Sequence, residues 1–437
     1  MNCWRIILTV VLLGSAVSAQ ENPVVLDFSR ALEMAFSEDP GLGARNDAVR
    51  IEESRVREAA ADYFPRLDAY SSYVRSSLES GIEIFNPQTM SLQSIDFFPK
   101  NRYDMGLRLT QDIYTFGRRA ASKEAASKNL TIRKLEEQDY KQKLYDRTAR
   151  AFAAVLLQKK NMEIQEENLE RAEARLAIVE ARISEGVATE YDLVRAQLHV
   201  AVYRRDNNRA AGDFRKAMAN LREIIARDQD YDFIPAGEIS EIEATLADSP
   251  EMDSLNRIEI KRLKLLHEAQ MQQARIYRST YFPDLSCFAK YDWQNGYQPE
   301  IDKIKGVWSA GVSLNWRIFD GGGRKQRVRQ ASISAAKMEK LITDAVKRIK
   351  EEREAAEIGL DIAVGDLDLA RKSLHLAEKG LAIAEQQYGQ GILGIGDLLD
   401  LEIERGEAEK GLNLAEFNLL MARLDLKKAV GSYPELP

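Results

Sequence analysis

The sequence predicts a mainly α-helical chain with a membrane β-barrel portion, built by internal duplication, and three observations carry that reading. Charged residues make up 30% of the 437 residues against only 25 Gly and 11 Pro, so long stretches hold no breaker and long solvated helices fit better than a compact globule. The runs "IYTFGRRAASKEAAS" from Ile113 and "IFDGGGRKQRVRQAS" from Ile318 each break a strand-like pattern on glycine and open into a charged, alanine-rich stretch, at an offset of 205 residues. The same offset carries Gly186 onto Gly391, Asp192 onto Asp397 and Leu193 onto Leu398, which marks a duplicated chain.

The opening "MNCWRIILTVVLLGSAVSAQ" has Arg5 in a short basic region, an apolar run from Ile6 to Leu13, and Val17 and Ala19 at the small-residue positions of a cleavage site. It reads as a signal peptide over residues 1–19, so an exported chain is expected. Cleavage leaves Cys287 alone, and no internal disulfide can form even in an oxidising compartment. The net charge of -7 offers no basic surface for a nucleic-acid backbone. No later segment approaches the roughly 20 apolar residues of a membrane-spanning helix, so membrane residence requires strands.

The first repeat is read over 20–230 and opens on a helix. Strands follow at about 66–76 and 101–116, then a long helix over 118–185, a tip at 186–189 and a return helix over 190–227. An equatorial linker covers 231–250. The second repeat, 251–437, has its strands at about 284–293 and 306–319, a long helix over 323–390, a tip at 391–395 and a return helix over 396–430. The strands rest on period two: Tyr103, Met105, Leu107, Leu109 and Ile113 alternate with polar residues, as do Trp308, Ala310, Val312, Leu314, Trp316 and Ile318. Each pair starts on a proline, in "YFPRLDAYSSY" and "YFPDLSCFAKYDW", where a helix should stop. The connections Ser76–Lys100 and Gln294–Lys305 differ in length, which marks exposed loops. Trp293, Trp308 and Trp316 all belong to the second strand pair, and such residues favour a membrane interface.

The rods rest on length and heptads. Gly117 to Gly186 spans 69 residues, as does Gly322 to Gly391, without a proline in either span. At about 1.5 Å per residue each rod is roughly 100 Å long. Leu169, Ala172, Leu176, Val179 and Ile183 step as a coiled-coil seam, and Leu374, Ala377, Leu381, Ala384 and Tyr388 repeat those steps.

Strands in a bilayer must close into a barrel, and single-chain barrels begin at about eight strands. Four strands therefore imply a barrel shared among several chains. The two junctions, Gly117, Arg118 and Arg119 and then Gly322, Gly323 and Arg324, are where the chain would leave the membrane for an aqueous helical tube. Arg118, Arg119, Arg324 and Lys325 are expected near the headgroups.

The duplicated order of helix, two strands, long helix, turn and returning helix, with the turns "SEGVATEYDLVRAQ" and "GQGILGIGDLLDLE", resembles the TolC family of outer-membrane efflux and secretion channels. The resemblance implies a homotrimer in the outer membrane of a Gram-negative bacterium, with a twelve-strand barrel in the lipid and an α-helical tunnel in the periplasm. It also implies partners: a periplasmic membrane-fusion adaptor and an inner-membrane pump of the RND, ABC or MFS type, with the channel as a passive conduit.

By the same resemblance Asp397 and Asp400 match an acidic ring at the entrance constriction. Their spacing places both carboxylates on one helix face, where in a trimer they would favour cations. Their plainer reading is an N-cap for Asp397 and a first-turn acid for Asp400. Asp192 and Tyr388 match a pair that helps latch the entrance, against the readings of a cap and a heptad core residue; Leu393 stands where better-known members have a basic latch residue. Gly186, Val187 and Ala188, with Gly391, Ile392 and Leu393, form tips that would dock the adaptor.

Chemistry of the chain's own is not indicated. His199, His267 and His375 are isolated, without metal-ligand spacing, and "GGGRK" lacks the form of a phosphate-binding loop. No enzyme and no cofactor are expected. A soluble periplasmic coiled-coil adaptor is the alternative; it explains the rods but not two pairs of amphipathic strands with clustered tryptophan.

Overall fold

The computed structural model describes residues 24–77, 81–88, 90–225, 233–247 and 257–434, so the expected signal peptide at 1–19 lies outside the described residues. The chain begins with strand Val24–Leu26 (β1) and helices Phe28–Glu38 (α1) and Pro40–Ala61 (α2). Strands Arg66–Arg75 (β2), Gly81–Asn86 (β3), Ser91–Asp96 (β4) and Asn101–Tyr114 (β5) follow, and then helices Arg118–Ser184 (α3) and Glu190–Ile225 (α4). Strand Phe233–Pro235 (β6) and helices Ile239–Ala247 (α5) and Ile258–Ser279 (α6) lead to strands Asp284–Gln294 (β7) and Lys305–Asn315 (β8). Helices Gly323–Gly389 (α7) and Ile395–Val430 (α8) complete the chain. The rods α3 and α7 have 67 residues each.

Backbone geometry explains the two glycine junctions. Gly117 and Gly322 are the N-caps of α3 and α7, with φ of 82° and 85°, and a Cβ at either would meet nothing. Glycine is there for the left-handed conformation and not for space. The residue before each is left-handed too: Gly321 in the second repeat, but Phe116 in the first, at φ 47°. Phe116 stacks on Phe282 with ring centroids 4.8 Å apart, a contact that offsets the strain.

The membrane strands form one antiparallel sheet in the order β2-β5-β7-β8, with β2 and β8 at its edges. Register aligns Leu67, Leu109, Ala289 and Ala310 in one row and Ala69, Leu107, Tyr291 and Trp308 in the next. The other face carries a row of Asp68, Arg108, Lys290 and Ser309. One face is thus apolar and the other charged, as a wall between lipid and water requires. On the charged face a Cβ at Gly106 would lie 2.8 Å from Asp292 Oδ1, so glycine leaves room for the Tyr70 hydroxyl to donate to Asp292, which also receives Lys290 Nζ at 2.8 Å.

Two strand-level expectations are corrected. The strand read over 306–319 ends at Asn315, because its partner β7 begins at Asp284, directly after Pro283, and offers no further ladder groups. Trp316 instead donates its indole N–H to the Tyr281 carbonyl at 3.0 Å. The connection Ser76–Lys100 is not simple loop either: β3 and β4 pair within it as an antiparallel hairpin.

The main core sits at mid-rod, not in the membrane. Phe28, Ala31 and Ala35 of α1 pack there against Tyr145, Phe152 and Val155 of α3, Leu221 and Ile225 of α4, and Leu420 and Leu424 of α8. The parallel pair β1-β6 and Ile242 of α5 close this equatorial core.

Candidate functional site

Each hairpin tip is built as a Schellman turn. In the first, Gly186 (φ 75°) donates its N–H to the Ile183 carbonyl at 2.9 Å and Val187 donates to Arg182 at 2.9 Å. In the second, Gly391 (φ 73°) donates to Tyr388 at 3.1 Å and Ile392 to Gln387 at 2.9 Å. Val187 and Ile392 are left exposed at the two apices, while Leu393 tucks against the apolar cluster described next.

The tips diverge one residue further on. Thr189 and Asp192 form a capping box: the Thr189 N–H donates to Asp192 Oδ2 at 2.8 Å and the Asp192 N–H to Thr189 Oγ1 at 3.3 Å. In the second copy the N-cap of α8 is Gly394, which has no side chain to cap with, and Asp397 stands exposed in the first turn. The same offset thus gives Asp192 an internal task and leaves its counterpart facing water.

The two hairpins are joined near the tips. Val179 (α3), Ala196 (α4), Ala384 and Tyr388 (α7), and Leu398 and Leu399 (α8) form one buried apolar cluster. Three arginines of the first hairpin reach across it. Arg182 lies over the Tyr388 ring, 4.4 Å from its centroid, Arg195 Nη2 is 3.4 Å from Asp400 Oδ1, and Arg175 bonds Glu402 through Nε at 3.0 Å and Nη2 at 2.7 Å, with Glu385 at 3.1 Å. Tyr388 therefore packs in the core against Arg182, and the residue that Asp192 engages is Thr189; the structure does not bring Asp192 and Tyr388 together within one chain. Asp397 and Asp400 share the first turns of α8, but Asp400 is ion-paired to Arg195.

Above this strap the interface turns polar. His199 is buried against Tyr203, with Glu402 at 3.9 Å from Nδ1, and neither ring nitrogen has a hydrogen-bond partner. Burial pushes the His199 pKa down to about 4 and holds the imidazole neutral, while burial pushes the Tyr203 hydroxyl up to about 12. Burial also raises the Glu402 carboxyl, against the pull of Arg175. Arg175, Arg195 and Glu402 escaped the sequence reading, yet one signal was available: Arg195 and Asp400 occupy the same place in the two repeats and carry opposite charges.

At the other end of the rods, Arg119 and Arg324 also share a repeat position, and both turn their guanidinium groups onto backbone carbonyls. Arg119 donates to the carbonyls of Asp62 at 3.2 Å, Asp112 at 2.8 Å and Ile113 at 3.0 Å. Arg324 donates to those of Thr280 and Ile318, each at 2.9 Å. Asp62 and Thr280 are helix C-caps, and the guanidinium groups satisfy carbonyls orphaned where helix and strand ends meet. Arg118 bonds Asp284 at 2.9 Å, and Lys325 stays exposed. Trp293 and Trp308 lie toward the far end of the apolar face, and Trp316 lies at the helix end.

Among the described residues, no helix is long and apolar enough to cross a membrane, and no group of three or more His, Cys, Asp and Glu is placed to hold a metal ion. A sheet with one apolar and one charged face, continuous with paired rods of equal length, is the build of a membrane channel subunit with an aqueous duct attached. The chain belongs to the outer membrane efflux protein family, whose model matches residues 31–227 and 253–432. It is accordingly an outer-membrane efflux channel, a transport conduit and not an enzyme.

In fold the chain is similar to CusC, whose crystal structures concern folding and transmembrane channel formation, with a TM-score of 0.77, 16% identity and 95% of each chain covered. It is also similar to the outer membrane protein VceC of Vibrio cholerae, with a TM-score of 0.73, 16% identity and coverage of 93% of this chain and 97% of that one. The open state of the Neisseria gonorrhoeae MtrE outer membrane channel gives a TM-score of 0.72 at 18% identity, over 92% of this chain and 88% of that one. No curated protein matches the chain in sequence.

Proposed function

We propose that three copies of this chain close a twelve-strand barrel and a continuous helical tunnel, which serves as the exit duct of a tripartite efflux pump or type I secretion system. The observation that carries this reading is the pair of open edges: among the described strands β2 and β8 each have a neighbour on one side alone, and an open edge is not tolerated in lipid. The rods agree. Ile362, Leu369, Leu376 and Ile383 recur every seven residues as an exposed stripe on α7, and Tyr191, Val194 and Leu198 leave an apolar patch on α4. Such a heptad stripe calls for a helix from a neighbouring copy.

In this assembly the tips Gly186, Val187 and Ala188 and Gly391, Ile392 and Leu393 face a periplasmic membrane-fusion adaptor, and an inner-membrane pump of the RND, ABC or MFS type drives transport. Asp397, free of the cap role that Asp192 fills, supplies the entrance acidic ring together with Asp400, whose charge Arg195 partly offsets. Tyr388 contributes to latching through its cluster with Arg182, and Asp192 through the first tip it caps. Trp293, Trp308 and Trp316 anchor the barrel at the two lipid interfaces.

The test is the molar mass of detergent-extracted protein with detergent mass subtracted. A trimer of about 140 to 150 kDa, three chains of 49.4 kDa less their signal peptides, is expected. A monomer released without detergent would overturn the shared barrel.

A further inference from the structure

We propose that the β3-β4 hairpins of neighbouring copies pack on one another across the outer mouth of the barrel, an inference that rests on the trimeric reading above. The hairpin is inserted between β2 and β5, at the end of the sheet away from Gly117. Its ladder pairs Phe85 with Leu92 and Ile84 with Gln93, which places Phe85 and Leu92 on one face and Ile84 on the other. Ile84, Phe85, Met90 and Leu92 are 45%, 55%, 79% and 64% exposed. Among the described strands, β3 and β4 pair with each other alone. Apolar side chains bared on both faces of a hairpin mark a contact surface.

Height decides against lipid as the occupant. The ten residues of β2, at about 3.4 Å each and a tilt of about 40°, rise roughly 26 Å, which already matches the apolar band of about 25 Å. The hairpin starts beyond that band, where water surrounds it. Width favours a second copy. Twelve strands about 4.8 Å apart at that tilt give a backbone diameter of roughly 24 Å, and a six-residue strand reaches about 20 Å, so three hairpins rooted on one rim are long enough to meet over the axis. The hairpin also springs from β2, the edge that the next copy's β8 must close, so it stands at the seam between copies.

The experiment uses the full chain in detergent and in planar bilayers, with Cys287→Ser removing the native thiol. Leu92→Cys is expected to form a disulfide on mild oxidation, linking two chains of each trimer and leaving the third free. The double change Phe85→Ser and Leu92→Ser, which alters no rod or barrel residue, is expected to raise single-channel conductance roughly two-fold by loosening the mouth. A protein of trimeric mass that shows neither the disulfide nor the rise overturns the hairpin contact and leaves the trimer standing. Loss of trimeric mass in the unmodified chain overturns both. A Phe85→Trp variant whose fluorescence is quenched by brominated phosphatidylcholine vesicles assigns the surface to lipid and also overturns the proposal.

Discussion

Arg195 and Asp400 stand at the same position of the two repeats, and their side chains meet at 3.4 Å across the boundary between the hairpins. Duplication placed two equivalent sites side by side, and divergence gave them opposite charge. Asp400 is 64% exposed, so the pair adds under about 1 kcal/mol and Asp400→Asn should barely move thermal unfolding in detergent. Charge reversal is different: Arg195→Glu sets like charges against each other. The expected result is a raised single-channel conductance, returned toward wild type by combining Arg195→Asp with Asp400→Arg. Equal conductance in wild type, the Arg195→Glu channel and the double variant would remove the pair from the control of the entrance.

Arg175 offers a contrast within one side chain. Its partner Glu402 is 11% exposed and its partner Glu385 is 51% exposed. Glu402→Ala strands a largely buried guanidinium with one remaining partner and should cost about 2 kcal/mol, whereas Glu385→Ala removes a surface pair worth under about 1 kcal/mol. Thermal unfolding of the detergent-solubilised assembly separates the two. Equal losses would mean that burial does not set the strength of this strap.

His199 makes the hairpin boundary sensitive to acid. Its folded pKa, about 4, lies below the ordinary imidazole value of 6.5, so between those limits the unfolded chain binds a proton that the folded chain refuses. Stability attached to His199 is therefore intact above about pH 6.5 and falls as the pH drops toward 4. Glu402, whose carboxyl is raised by burial, works in the opposite direction over the acid end of that window. Unfolding temperatures recorded from pH 7 to pH 4.5 should fall less in a His199→Gln protein than in wild type; parallel curves would show that the imidazole is not the sensor.

Arg324 is buried at the barrel junction, and its loss would strand the Thr280 and Ile318 carbonyls and leave the Asp320 carboxylate, 3.3 Å from Nε, to the residue-324 backbone N–H at 2.9 Å and to Arg327 at 3.5 Å. Arg324→Ala should destabilise by about 3 kcal/mol, and Arg324→Lys should recover less than half of that, because an ammonium cannot reproduce the guanidinium fork. Arg119, its more open repeat partner, should tolerate the same changes better. Thermal unfolding is again the readout, and full rescue by lysine would reduce the residue to a point charge.

What the sequence by itself determined is everything written as a period. The heptads, the strand alternation and the 205-residue offset are local and repeated, so membrane strands, rods and their duplication were legible without coordinates. Gly117 and Gly322 were legible as the break between strand and rod, and the structure supplied the reason, a left-handed backbone that excludes most side chains. Tertiary structure decided what depends on which elements meet. Divergence between the copies is invisible to a period: Asp192 caps its own helix while Asp397 faces water. So is the bonding of Arg119 and Arg324 to backbone carbonyls. The β3-β4 hairpin, too short for a periodic signal, and the strap from Arg175, Arg182 and Arg195 emerged only with the packing. An ion pair or a stacked guanidinium is fixed by distances between residues far apart in the chain, and those distances exist only once the hairpins lie side by side.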